Sequence, residues 1–153
     1  MSPDYRIILA EFDNFTIINC YGYTSCDNSE MINFFSVDSI PKYLNLFNKN
    51  PIILGDFNYI LNPNVDGNNR VNFFFTLIIS KLNFIDTSYH LNPNLISPTF
   101  INHMGRTTIY KIFLHRDNIN HLINFTHQLY TQSDHLAFIL DLNIKTTISE
   151  RKI

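Results

Sequence analysis

The segment PIILGDFN, residues 51–58, runs four apolar-leaning residues into Gly, Asp, Phe and Asn. Strand alternation puts Asp56 and Asn58 on one side and Phe57 on the other. A carboxylate beside a carboxamide can hold one water: the Asn keeps the geometry, and the Asp accepts a proton or binds a metal. Gly, Asp and Asn are equally ordinary turn residues, so a simple turn is the competing reading. About eighty residues later, QSDHLAFIL (132–140) sets Ser, Asp and His directly before an apolar run. Asp134 has the oxygen chemistry for Mg²⁺, and His135 can donate to a phosphate oxygen or stabilise developing charge. A surface turn feeding a strand is the plainer alternative there too. His115, His121 and His127 recur every six residues, which fits neither a helical face nor metal-ligand spacing, and read as ordinary surface or loop residues. His90 and His103 fall in segments that read as loop.

The elements around these residues are legible from pattern. RIILAE (6–11) and FTIINCY (15–21), separated by a short turn, read as two antiparallel strands. Ser29 to Lys49 reads as helical, broken or kinked at Pro41. PIIL (51–54) is a short buried strand, and Asn62 to Arg70 is loop by composition. Val71, Phe74, Phe75, Ile78, Ile79 and Leu82 mark one helical face, read as core. DTSYHLNPN (86–94) reads as loop. Strands are expected at 98–102, 107–115, roughly Leu122 to Tyr130, and 136–144, followed by a polar tail. Strands and helices in this mixed order point to stacked sheets with helices outside, and strand ends are where such scaffolds display chemistry.

Composition bounds the answer. A chain of 153 residues with 45% hydrophobic and 14% aromatic content fits one globular domain over 1–153, with a core at about 6–144 and a tail at 145–153. No apolar run approaches the ~20 residues of a membrane helix, so no membrane partner is expected. MSPDYRIILAEFD lacks a basic region followed by an apolar one, and an intracellular place, cytoplasm or nucleus, is expected. A formal net charge of -2 gives no basic field and argues against tight, autonomous nucleic-acid binding. Cys20 and Cys26 do not make a zinc site, and reduced thiols are the plain reading. Asn, roughly one residue in seven, is far above ordinary usage and reads as a compositional bias of the source.

Taken together and in this order, GDFN and SDH resemble the endonuclease/exonuclease/phosphatase superfamily, which includes apurinic endonucleases and pancreatic deoxyribonuclease. IINCYGYTS (17–25), KLNFIDTSYHLNPN and SPTFIN look most like the nicking endonucleases of non-LTR, LINE-type retrotransposons. The resemblance spans about residues 6–144 and implies an α+β fold: a deoxyribonuclease-like αββα four-layer sandwich of two mixed β-sheets flanked by helices, missing its N-terminal strands. It implies Mg²⁺- or Mn²⁺-dependent phosphodiester hydrolysis, with DNA the substrate. Asp56 would orient or deprotonate the attacking water. Asn58 would hold Asp56 and the scissile phosphate. His135 and Tyr21 would reach the phosphate, and Asp134 would lie at the metal side.

Two departures oppose the matches. The family's opening Asn strand and metal-binding Glu have no counterpart, since Glu11 does not match that position. The family's R-I-D-Y-I strand, whose Asp pairs with the catalytic His, corresponds to TTIYKIFL (107–114), with Tyr110 in place of the Asp. The metal should therefore be weakly held. His135, without an anionic partner, should be less basic and less well aimed. Three readings stay open: a working nuclease completed by a missing N-terminal segment or partner chain, a catalytically inactive remnant, and a phosphodiesterase of the same superfamily acting on RNA or on a lipid or inositol phosphate.

Overall fold

The computed structural model describes residues 6–22, 50–59, 73–93, 98–103, 105–129 and 133–144. Ile- and Thr-rich sequence makes β1 (Ile7–Glu11) and β2 (Thr16–Tyr21), an antiparallel pair with Ile7 opposite Cys20 and Glu11 opposite Thr16. The turn closes through a Phe12 N–H bond to the Phe15 carbonyl, 2.9 Å, under stacked Phe12 and Phe15 rings. β3 (Pro51–Asp56) then lies parallel to β2. A parallel neighbour requires a crossover. The helix expected at Ser29 to Lys49 lies in that crossover and, like the expected 62–70 loop and the 145–153 tail, outside the described residues.

Next come α1 (Phe73–Lys81), β4 (Phe84–Asp86), α2 (Thr87–Leu91), β5 (Phe100–Asn102), β6 (Gly105–Thr107) and β7 (Tyr110–His115). A 3₁₀ turn at Arg116–His121 leads into β8 (Leu122–Leu129), which pairs antiparallel with β9 (Leu136–Leu142). The main sheet runs β1-β2-β3-β7-β4 and is mixed, because β2 and β3 are parallel while β7 is antiparallel to both β3 and β4.

Period-two alternation sorts this sheet's apolar residues onto two faces. Ile18, Cys20, Ile53, Phe57 and Phe113 pack on the side of α1, against Ile79 and Leu82. Ile52, Ile112 and Leu114 pack on the other side, against Phe125, Phe138, Leu140 and Leu142 of the β8–β9 pair. The continuous apolar runs at 51–54 and 112–114 follow from burial on both faces. Helix, mixed sheet and second sheet therefore stack as the sequence led us to expect of two sheets flanked by helices.

Several boundaries differ from expectation. β3 continues through Gly55 and Asp56, so Asp56 is the last strand residue and not a residue beyond it. The segment at 86–94 is not plain loop. Asp86 accepts from the backbone N–H groups of Ser88 (2.9 Å) and Tyr89 (3.3 Å), capping α2 and placing His90 in its last turn. Behind that cap, Asp86 ion-pairs with Lys111 at 3.1 Å, both side chains almost wholly buried. His115, His121 and His127 lie at a strand end, in the 3₁₀ turn and in β8, and His103 in the turn between β5 and β6. Cys20 is a free thiol whose burial pushes it up to about 12.

Candidate active site

Three strands end together. Tyr21 closes β2, Asp56 closes β3 directly opposite it, and Tyr110 opens the antiparallel β7 opposite Asp56. Register neighbours share a face. Asp56 and Tyr110 continue the alternation of Ile52 and Leu54, and of Ile112 and Leu114, so they face the second sheet.

Two glycines permit this convergence. Gly55 sits at φ +142°, and a Cβ there would overlap the Cys20 carbonyl oxygen. A Cβ on Gly22 would overlap the Phe57 carbonyl oxygen. At this close approach the Gly22 N–H donates to the Asp56 carbonyl at 2.6 Å. The chain then turns through Asn58 at φ 54°, a left-handed conformation that Asn tolerates better than most residues. One Asp56 carboxylate oxygen accepts from the Asn58 backbone N–H at 2.9 Å, an Asx turn. The Asn58 carboxamide Nδ2 donates to the Gly22 carbonyl at 3.0 Å. The turn reading of GDFN is thus part of the site: the turn itself aims Asp56. It is the backbone N–H of Asn58, and not its carboxamide, that holds the carboxylate. Arg6 stands beside the same end, with Nη1 3.4 Å from the Gly22 carbonyl and Cζ 5.5 Å from the Tyr21 ring centre.

From the second sheet, the SDH segment is pinned against β5. The Ile101 N–H donates to the Asp134 carbonyl and the Leu136 N–H to the Thr99 carbonyl, each at 2.9 Å, with His135 bridged to Phe100 between them. Thr99 is wholly buried, and its hydroxyl oxygen accepts from the N–H groups of Ile109 (2.9 Å) and Tyr110 (3.0 Å). One residue therefore fixes the backbone under both Tyr110 and His135. The His135 ring lies between Tyr110 and Phe100, at centroid distances of 5.3 and 4.9 Å. Its Nδ1 is 2.6 Å from the Tyr110 hydroxyl, and its Nε2 is 3.6 Å from an Asp134 carboxylate oxygen. The expectation that Tyr110 leaves this ring poorly aimed is corrected by these contacts: the phenol is itself the partner that orients it.

Electrostatics link the same groups. Burial raises the Asp56 carboxyl above its ordinary value, opposed in part by the Asn58 N–H and by the charge of His135. Burial also raises the Tyr110 phenol, followed by the negative charges of Asp56, Asp134 and Tyr21. Tyr110 therefore keeps its proton. Tyr21, Asp56, Asn58, Asp134 and His135, all singled out in the sequence, stand at one end of the two sheets. Gly22, Gly55 and Thr99 were missed as site residues. Gly22 and Thr99 carried faint signals, a Gly after a strand Tyr and the Thr of SPTFIN.

Among the described residues no three His, Cys, Asp or Glu side chains group as a metal cage. Two carboxylates, Asp56 and Asp134, supply hard oxygens, and Mg²⁺ commonly takes only one or two carboxylates together with substrate phosphate. The donor set fits a hard cation held partly by the substrate.

No protein-family model matches the sequence, and no curated protein matches it. Solved structures do match in fold. An AP endonuclease from Archaeoglobus fulgidus aligns with a TM-score of 0.75 at 16% identity, over 91% of this chain and 65% of that one. A 3′ phosphatase from Neisseria bound to product DNA hairpin aligns with a TM-score of 0.73 at 15% identity, over 93% of this chain and 66% of that one. A 3′-5′ exonuclease from Neisseria meningitidis aligns with a TM-score of 0.71 at 15% identity, over 89% of this chain and 65% of that one. The chain has the deoxyribonuclease-like fold that these proteins share, and it spans about two thirds of their length.

Proposed function

We propose that this end of the sheets hydrolyses phosphodiesters in DNA, in the manner of a retrotransposon-type nicking endonuclease. The observation that supports this reading best is the row Tyr21–Asp56–Tyr110 facing His135 and Asp134 across the gap between the sheets. Asp56 takes a proton from the attacking water. The water oxygen bonds to phosphorus as the bond to the leaving sugar oxygen breaks, and that oxygen takes a proton from solvent. A raised carboxyl is the better base for that step. His135 donates to a phosphate oxygen, and Tyr21, half exposed at the rim, contacts the phosphate. Asn58 keeps the Asp56 turn in place. Asp134 stands at the metal side, where magnesium or manganese, when bound, supplies charge neutralisation at the phosphate. DNA is preferred because one structural neighbour is a 3′ phosphatase bound to product DNA hairpin.

The rate is proposed to be low, since only two carboxylates gather here among the described residues. A segment or partner chain supplying a third is part of the proposal. The same observation favours the second reading, an inactive remnant of such a domain. Supercoiled plasmid, incubated with Mg²⁺ or Mn²⁺, separates them. Slow nicking abolished by Asp56→Ala and by His135→Ala is expected. No nicking with either metal favours the remnant. Nicking as fast as a complete AP endonuclease, abolished by Asp56→Ala, would refute the impairment. RNA and inositol-phosphate substrates in parallel test the substrate class.

A further inference from the structure

His135 meets a different oxygen at each ring nitrogen. The Tyr110 hydroxyl, 2.6 Å from Nδ1, can donate or accept. The Asp134 carboxylate, 3.6 Å from Nε2, only accepts. A carboxylate is attracted by an N–H at Nε2 and repelled by a lone pair there. With the proton on Nε2, Nδ1 becomes an acceptor, and the phenol is the donor that fills it. The opposite tautomer sets two lone-pair groups, Nε2 and the carboxylate, against each other. A tyrosine phenol titrates at about 10 and keeps its proton at neutral pH, so it has a hydrogen to give. The imidazole is also held between two rings, 5.3 Å from the Tyr110 centroid and 4.9 Å from that of Phe100.

We propose that Tyr110 is a positioning residue whose hydroxyl donates to Nδ1 of His135 and holds the neutral imidazole as the Nε2–H tautomer. Its use as a donor to phosphate rests on the phosphodiesterase reading; the tautomer itself does not. An Asp at position 110 would do the reverse, accepting from Nδ1–H and leaving the lone pair on Nε2. In the neutral ring, Tyr110 therefore makes Nε2 of His135 a donor and not a base.

The test is long-range ¹H–¹⁵N correlation on the full chain labelled in histidine, without substrate or metal, at a pH where the imidazoles are neutral. His135→Gln identifies the pattern that belongs to His135. The expected pattern has a protonated Nε2 and an unprotonated Nδ1. Tyr110→Phe should shift it to a mixture, and Tyr110→Asp to Nδ1–H. A protonated Nδ1 in the unaltered chain overturns the proposal, as does an unchanged pattern in a folded Tyr110→Phe. Should that variant not fold, replacing the tyrosines with 3-fluorotyrosine acidifies the phenol and must move the His135 Nδ1 resonance; no movement overturns the proposal. Because this readout needs no catalysis, absence of nicking with the Nε2–H pattern intact counts against the phosphodiesterase reading alone.

Discussion

The Asn58 carboxamide donates to the Gly22 carbonyl oxygen at 3.0 Å, fastening the chain just beyond β3 to the chain just beyond β2. Asn58 also occupies a left-handed conformation at φ 54°. These two demands separate by substitution. Asn58→Gly keeps the conformation and loses the clamp, and should cost about 1 kcal/mol. Asn58→Ala loses both and should cost about 2–3 kcal/mol. Urea unfolding of the two variants beside the parent checks the order. Equal losses would mean that only one of the demands operates.

Asp56 should make the fold less stable as it ionises. Burial raises its carboxyl in the folded chain, so its contribution is fully present below the ordinary carboxyl value and is lost as pH rises through the raised one. Asp56→Asn should therefore unfold at higher urea than the parent at neutral pH, while abolishing any cleavage. The gap should close in acid. A variant less stable than the parent at neutral pH would show that the carboxylate's attractive contacts outweigh its burial.

Thr99 offers one hydroxyl to two backbone N–H groups in a fully buried position. Thr99→Val keeps the shape and strands both donors, a loss of about 3 kcal/mol. Thr99→Ser keeps the acceptor and should lose only about 1 kcal/mol, the scale of one buried methyl. Thermal unfolding resolves the difference. Valine should also disturb the His135 resonances, because the lost hydroxyl holds the backbone of Tyr110, whose phenol contacts that ring.

The Lys111–Asp86 pair is buried on both sides, and replacing Lys111 leaves the Asp86 carboxylate buried without its cation. Lys111→Met should destabilise by about 3–5 kcal/mol. Adding Asp86→Asn should recover part of that loss, since asparagine is a good N-cap for α2. Additive effects in the double-mutant cycle would show that the two side chains do not depend on one another.

How far the site was legible depended on whether a residue's role was local. The run at 51–54 announced a buried strand because both faces of the central sheet are covered, and 107–115 announced the strand that pairs with it. The spacing at 71–82 announced a helix, and α1 follows at Phe73–Lys81. GDFN and SDH were legible as residue types suited to water and phosphate. Gly22 and Thr99 were not, because they act through backbone groups on distant strands whose register no local pattern reveals. The segment at 86–94 was misread because Asn and Pro outweighed the capping signal of Asp86 before Thr and Ser. Tyr110 was read as a loss because substitution for an Asp removes a charge, and only geometry shows what the hydroxyl does instead.

The parallel pairing of β2 with β3 also bears on when the site forms during folding. Gly22 and Asn58 are 36 residues apart, and Tyr110 and His135 are 25 apart. Contacts of this span require loop closures before any of them is rewarded, and sheets built this way fold slowly. No hairpin or lone helix of this chain can carry the site by itself. A collapsed intermediate with native-like strands but unsettled register would leave Tyr21, Asp56 and Tyr110 out of line. Competence at this end would then lag behind secondary structure in refolding, and would vanish as soon as any one of these strands opens.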